Sequence, residues 1–260
     1  MEARKKIDFD EVVRLVQGAR SILLDEALLA DVTVKGRANF ATRCDTAVQE
    51  MLCRELSRRW PQVQFLGEEK SAQVDFSGQV WILDPVDGTA NLMHHLHCSA
   101  VSLALTEGGK PVFAIVYDPF ADETFTAVRG GGAFLNGRPM RVIDSDNPGE
   151  AIIAVGTSPY ERELADANFA LFRRVFDNCG DIRRAGTASL DLANVAAGRL
   201  EGYLERNLKQ WDFAAGILLV TEAGGSVTDF AGAGIDCTRS RDVIACCAAV
   251  RPMLEAAARG

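Results

Sequence analysis

No apolar run in this sequence approaches the ~20 residues that a membrane-spanning helix needs, so no transmembrane helix is expected. Two lysines, Lys5 and Lys6, stand near the N-terminus, but no apolar stretch follows them, so a secretory signal is not expected either. The seven cysteines (44, 53, 98, 179, 237, 246 and 247) are odd in number and contain no C-x-x-C pair. In a chain of 260 residues that pattern excludes a disulfide framework and predicts free, mostly buried thiols in the cytoplasm. An excess of positive charge is also missing, since 28 Lys+Arg stand against 36 Asp+Glu for a net charge of -8. Broad electrostatic binding of nucleic acid is therefore not expected. The same acidity repels a phosphate ester, so a phosphate-handling reading requires cations to invert the local field. Internal repeats and low-complexity segments are absent as well.

What is present is an ordinary globular composition, 48% hydrophobic and 25% charged. Apolar spacing predicts one helix from Phe9 to Leu29 and a second from Asp45 to Arg59, stopped by Pro61. Strands are predicted at 64–66 and 80–83, then at 100–105, 112–117 and 123–127. Gly108-Gly109 and Asp118-Pro119 separate the last three, which predicts an antiparallel meander, and Gly130-Gly131-Gly132 and Asn136-Gly137 continue the hairpins. Beyond a polar stretch at 144–150, strands are predicted at 151–155, 202–204, 226–228 and 243–245. Helices are predicted at 164–176, 189–198 and 213–223. The layout reads as stacked helix and sheet layers, an N-terminal α+β part of about 145 residues followed by a C-terminal α/β part.

Three acidic motifs carry chemical information. In Trp81-Ile82-Leu83-Asp84-Pro85-Val86-Asp87-Gly88-Thr89, an apolar strand ends in two carboxylates held around a proline, which fixes the bend and offers no N–H. Gly88 allows close backbone approach, and a helix starting near Thr89 would turn its free N–H groups to the same place. The alternative is a plain strand-to-helix turn with Asp87 and Thr89 as caps. Gly67-Glu68-Glu69 closes the preceding strand in the same way, and acids at neighbouring strand ends can converge on one cleft; alone, the Glu pair would be a solvated surface feature. Trp211-Asp212-Phe213 places an acid where an apolar helix begins, for which an ordinary N-cap is the alternative. Taken together, Glu68, Asp84, Asp87 and Asp212 form an all-oxygen set. Such a set suits a hard cation, Mg²⁺ with Mn²⁺ as the second choice, rather than zinc. Two or more such ions activate water and neutralise charge on a leaving oxygen. His94, His95 and His97 look like a metal cluster, but the carboxylates already suffice, and the histidines read as loop and pocket residues.

In this order the motifs resemble those of the inositol monophosphatase family, and the resemblance runs from about residue 10 to about residue 250. Supporting matches are Ala41-Thr42-Arg43-Cys44-Asp45, Gly132 to Gly137, Gly186-Thr187-Ala188 and Thr221 to Gly225. The resemblance implies a layered α-β-α-β-α sandwich of the α+β class, often homodimeric, spanning the whole chain as one domain. It implies two or three magnesium ions held by Glu68, Asp84, Asp87, Asp212 and the backbone carbonyl of Val86. Gly88 and Thr89 are then phosphate binders, with Gly186, Thr187 and Ala188 beside the substrate. Thr89 paired with Asp45, or Glu68 directly, helps deprotonate a water that attacks phosphorus in line. Lys35-Gly36 falls in a loop that helps close the site.

Two features point toward inositol monophosphate. Asn91-Leu92-Met93-His94 is similar to the continuation found in inositol phosphatases. Glu205, seven residues before Asp212, stands where the family places a carboxylate that accepts hydrogen bonds from sugar hydroxyls; the alternative is a solvated strand-end charge. Other substrates within the superfamily are fructose 1,6-bisphosphate, histidinol phosphate and 3′-phosphoadenosine 5′-phosphate. A regulatory binding protein on the same scaffold is the non-enzymatic alternative.

Overall fold

The computed structural model describes residues 6–69, 73–145 and 147–260. Along the first half run α1 (Phe9–Gln17), α2 (Arg20–Leu23), α3 (Glu26–Leu29), β1 (Val32–Gly36), β2 (Asn39–Thr42), α4 (Arg43–Arg59), β3 (Gln64–Gly67), β4 (Gln79–Asp87) and α5 (Thr89–Met93). A meander follows, β5 (Ala100–Glu107), β6 (Lys110–Asp118), β7 (Glu123–Val128), β8 (Gly132–Leu135) and β9 (Arg138–Pro139). The second half holds β10 (Ile152–Val155), α6 (Ala165–Phe176), β11 (Asp181–Arg183), α7 (Ala188–Ala196), β12 (Gly202–Leu208), α8 (Gln210–Glu222), β13 (Ser226–Thr228), β14 (Arg241–Cys246) and α9 (Arg251–Arg259).

Strands β3 to β9 form one sheet in chain order, and a second sheet runs β11-β10-β12-β14-β13. Residue alternation assigns the faces. Trp81, Leu83, Val101, Leu103, Phe113 and Ile115 turn toward Val12, Val16, Val48 and Leu52 of α1 and α4. Val80, Ile82, Ala104, Ala114 and Val116 turn the other way, onto α7 and α8. Those two helices are covered on their far side by Tyr203, Val243 and Ala245 of the second sheet. The opposite face of that sheet, Ile153, Val155, Leu204 and Ile244, packs on α6 and α9 through Leu171, Val175 and Leu254. The order of layers is helix, sheet, helix, sheet, helix, the α+β sandwich expected. The inner pair is apolar nearly all round because it is buried on both sides, eight of the thirteen residues of α8 being buried.

One expected element needs correction, and the sequence did not point to several others. The single helix at 9–29 is three pieces: α1 ends at Gly18, and Asp25 caps α3 by accepting from the Ala27 amide at 2.9 Å. The β1–β2 hairpin was not expected: Val32-Thr33-Val34-Lys35 alternates only briefly, and every residue of β1 is exposed. The short β11 and the terminal α9 were also missed. The β8–β9 turn matches its reading, with Asn136 and Gly137 both at positive φ (49° and 74°), as a two-residue type I′ hairpin requires.

Candidate active site

The acidic motifs meet because β3 and β4 are parallel. Gly67 lies opposite Leu83, so Glu68 leaves its strand beside Asp84, and the Glu68 amide donates to the Leu83 carbonyl at 3.2 Å. Around Pro85 the β4–β5 ladder slips between Asp84 and Asp87, a bulge that lets two acids three residues apart turn to one side. Asp84 is buried and accepts from the Val86 amide at 3.0 Å. The chain then turns at Gly88, whose φ of 86° favours glycine; a Cβ there would come within 2.4 Å of Thr187 Oγ1 and 2.9 Å of the Cys98 carbonyl.

The plain-turn alternative for this motif fails. The N-cap of α5 is Gly88, with no side-chain cap. Asp87 instead reaches α7, where its Oδ2 accepts from the Ser189 amide at 2.6 Å. Asp212 is not the N-cap of α8 either. It sits in the first turn, where one oxygen accepts from the Lys209 amide at 2.7 Å. Its other oxygen takes no part in that cap.

Behind this wall, Asp45 is wholly buried. Its Oδ2 accepts from the Thr42 amide (2.7 Å) and hydroxyl (2.6 Å), and its Oδ1 faces Thr89 Oγ1 at 2.9 Å. Thr89 Oγ1 also lies 3.0 Å from the Val86 carbonyl, and its single proton serves one acceptor at a time. Asn91 ties α5 to the start of α7, donating to the carbonyls of Cys98 (2.8 Å) and Ala185 (3.0 Å). Thr187 donates to the same Cys98 carbonyl at 2.7 Å and does not itself cap α7.

These groups enclose a cavity of about 350 Å³. Glu68, Asp84, Val86, Asp87, Gly88, Thr89 and Asp212 line it, as do Gly186, Thr187, Ala188 and Glu205. Asp45 stands one layer back, joined to it through Thr89. Glu205 is not a solvated strand end: it accepts from the Tyr203 hydroxyl (2.6 Å) and the Ser158 amide (2.8 Å). The histidines are loop residues after α5, as expected, but not pocket residues; His97 stacks on Phe120 instead. Lys35 lies in a strand rather than a loop, and its ammonium pairs with Glu69 next to Glu68. The motifs did not point to Asp191, Arg184 or Ser158 as wall residues. Asp191 lies on the continuation of Gly186-Thr187-Ala188 at one helical turn, the signal that would have found it.

The cavity is electrostatically unsettled. Burial pushes the Glu68 carboxyl up to about 7, with Lys35 working against the rise and Glu69, Asp45 and Asp87 adding to it. Burial also raises Asp84 and Asp212 well above the usual carboxylate range, reinforced by the neighbouring acids. Asp87 rises for the same reason, opposed by its hydrogen bonds from α7. Among the described residues, no three acidic, histidine or cysteine side chains close into a single-ion cage. Magnesium takes only one or two carboxylates per ion and keeps several waters, so a wall of separated oxygens suits it.

Residues 7–258 match the model of the inositol monophosphatase family. The chain belongs to the inositol monophosphatase family. Inositol-1-monophosphatase of Rhizobium meliloti is 43% identical over 204 residues, 78% of this chain and 77% of its own. Nus factor SuhB of Xylella fastidiosa is 40% identical over 225 residues, 85% of this chain and 82% of its own. The crystal structure of extragenic suppressor protein suhB from Bartonella henselae superposes with a TM-score of 0.90 at 39% identity, covering 96% of this chain and 98% of that one. An IMPase/NADP phosphatase solved with Mg²⁺ and phosphate matches at a TM-score of 0.85 and 27% identity, over 96% and 94% of the two chains. Within the inositol monophosphatase family, relatives of this chain thus carry both a phosphatase name and a factor name.

Proposed function

We propose that the protein is a magnesium-dependent phosphomonoesterase that hydrolyses the phosphate ester of a small polyol, with myo-inositol monophosphate as the leading substrate. The observation that carries this reading is the convergence of Glu68, Asp84, Asp87 and Asp212 on one cavity with two helix starts whose own N-cap residues, Gly88 and Thr187, supply no side-chain cap. Four acids in a shared cavity repel one another, and divalent cations relieve that repulsion. Two or three Mg²⁺ ions, or Mn²⁺, would be held by these four side chains and the Val86 carbonyl. When bound, they would supply charge neutralisation for the phosphoryl group and acidify the attacking water.

The protein's own groups do the rest. Backbone N–H groups at the starts of α5 and α7 would hold phosphoryl oxygens at Gly88, Thr89, Gly186, Thr187 and Ala188. Thr89 and Asp45 form a proton path: the hydroxyl oxygen takes a proton from the attacking water while passing its own to Asp45 Oδ1, 2.9 Å away. Burial raises the Asp45 carboxyl above its usual range, which favours its receiving that proton. Glu68 is a second candidate for the same duty. Glu205 keeps a lone pair on each oxygen beyond its two bonds, enough to accept from hydroxyls of the leaving alcohol.

Phosphate release from inositol 1-phosphate, fructose 1,6-bisphosphate, histidinol phosphate and 3′-phosphoadenosine 5′-phosphate, with and without Mg²⁺, tests the reading. The highest kcat/KM is expected for the inositol ester, and only with the metal. A preference for another ester would overturn the substrate and keep the chemistry. No turnover of any ester would favour the second reading, a non-catalytic factor on this scaffold. The names of several relatives speak for that second reading. The complete carboxylate set speaks against it.

A further inference from the structure

Asp191 occupies the first turn of α7, one turn beyond Thr187, and lines the same cavity. It is only 4% exposed. The other cavity acids with a structural partner are easily accounted for: Asp84, Asp87, Glu205 and Asp212 each accept at least one hydrogen bond from the protein. Among the described residues nothing donates to Asp191, and the charges that act on it are those of Asp87, Glu205 and Arg184. A carboxylate near a helix start does complement the helix dipole, but an exposed position would do so without desolvation. Its oxygens are not sealed into the core but open to the cavity, and a largely desolvated acceptor with no protein donor is one that a ligand donor would satisfy.

Its surroundings indicate what kind of donor. Glu205 lines the same wall and is likewise acceptor-only. Arg184 lines it too; one guanidinium nitrogen donates to Thr157 Oγ1 at 3.3 Å, and its positive charge acts on both acids. Two acceptors with a donor beside them match a group that both donates and accepts at adjacent atoms, as neighbouring hydroxyls of a polyol do. A second phosphate would bring only acceptors and negative charge against Asp191 and Glu205.

Resting on the polyol-phosphatase reading above, we propose that Asp191 is a specificity-determining residue. It accepts a hydrogen bond from a hydroxyl of the substrate's polyol half, beside the one held by Glu205, and disfavours esters with a second phosphate at that end. A site built around a substrate hydroxyl discriminates strongly against analogues that lack it, because the buried acceptor is then left unpaired.

The test compares wild type with Asp191→Asn, which keeps the shape and removes one acceptor and the charge. Both would be assayed in saturating Mg²⁺ on inositol 1-phosphate, 4-nitrophenyl phosphate (which has no hydroxyls) and fructose 1,6-bisphosphate. The expected result is a fall of about tenfold or more in kcat/KM for the inositol ester relative to the nitrophenyl ester, carried mainly by KM. Discrimination against the bisphosphate should shrink, and the melting temperature of the ligand-free variant should hold or rise. An equal loss on both monoesters, an unchanged ratio, or a lower melting temperature would overturn the assignment and make Asp191 a structural residue. If the wild type hydrolyses no polyol ester, the functional reading has failed on its own account. Calorimetric titration of both proteins with inositol 1-phosphate then decides the residue: binding about tenfold weaker in the variant upholds it, and equal or absent binding overturns it.

Discussion

Asp45 shows how one side chain can be structural on one oxygen and chemical on the other. Oδ2 takes two donors from Thr42 and so holds the start of α4, while Oδ1 is reserved for Thr89. In Asp45→Asn the amide oxygen would remain with the two Thr42 donors, leaving the NH₂ facing Thr89. Thr89 must then donate to the Val86 carbonyl, which is within reach at 3.0 Å. The fold survives this exchange, but the proton path does not. Steady-state kinetics should show kcat lower by about 10²-fold with little change in KM, and thermal melting should shift by only a few degrees. A kcat near wild type would assign the proton to Glu68 instead. For the cation-facing acids the expected loss is larger: Asp84→Asn, Asp87→Asn or Asp212→Asn should each lower kcat/KM at least ~10²-fold in saturating Mg²⁺, since each removes several kcal/mol of charge stabilisation. Near-wild-type turnover at any of these positions would remove it from the ligand set.

Helices α7 and α8 are positioned by an unusually close approach. A Cβ on Gly216 would meet Leu192 Cδ1 at 2.3 Å and Leu192 Cβ at 2.6 Å. The first turns of the same two helices carry Asp212 and the N–H groups that follow Thr187, so their spacing sets the distance across the cavity. Gly216→Ala gains helix propensity, which by itself would stabilise α8 by up to about 1 kcal/mol. Overpacking against Leu192 should outweigh this, for a net loss of about 1–2 kcal/mol in chemical denaturation. Activity should fall along with stability, because separating the helices separates the two sides of the site. A variant more stable than wild type would show that the interface has slack. Leu52→Ala offers the contrast, on the far side of the first sheet. It should cost about 2–5 kcal/mol through cavity formation while leaving kcat nearly unchanged in the folded fraction.

Across the whole molecule, the same burial that prepares the site opposes the fold when cations are absent. The folded-state pKa of Glu68 is raised from 4.5 to about 7, and those of Asp84, Asp87 and Asp212 are raised as well. In that window the folded protein binds more protons than the unfolded chain, so metal-free stability falls as pH rises. Chelator-treated protein should therefore melt at progressively lower temperature from pH 5 to pH 8. Added Mg²⁺ should raise the melting temperature more at pH 8 than at pH 5, because binding requires the ionised carboxylates. A metal-free melting temperature that rises over this range would contradict the electrostatic account of the cavity.

The sequence by itself marked most of the segments on which burial imposes a period, although it joined α1 to α3 and passed over α9. It marked β4 to β7, α4 and the inner helices, and it failed at β1, a short strand that faces water throughout. It also determined the acidic motifs and the hard-cation chemistry they suit, because residue type and order are enough for that. Only the tertiary structure decided how each acid is used. Asp87 bonds the Ser189 amide in the first turn of α7, 102 residues on, rather than capping the helix that follows it. Asp212 serves a first-turn cap with one oxygen while lining the cavity, and Glu205 is held by Tyr203 and Ser158 rather than solvated. Asp191 became visible as a wall residue only when α7 was set against β12 and the start of α5. These assignments rest on contacts between distant segments and on desolvation, and neither has a local signature in the chain.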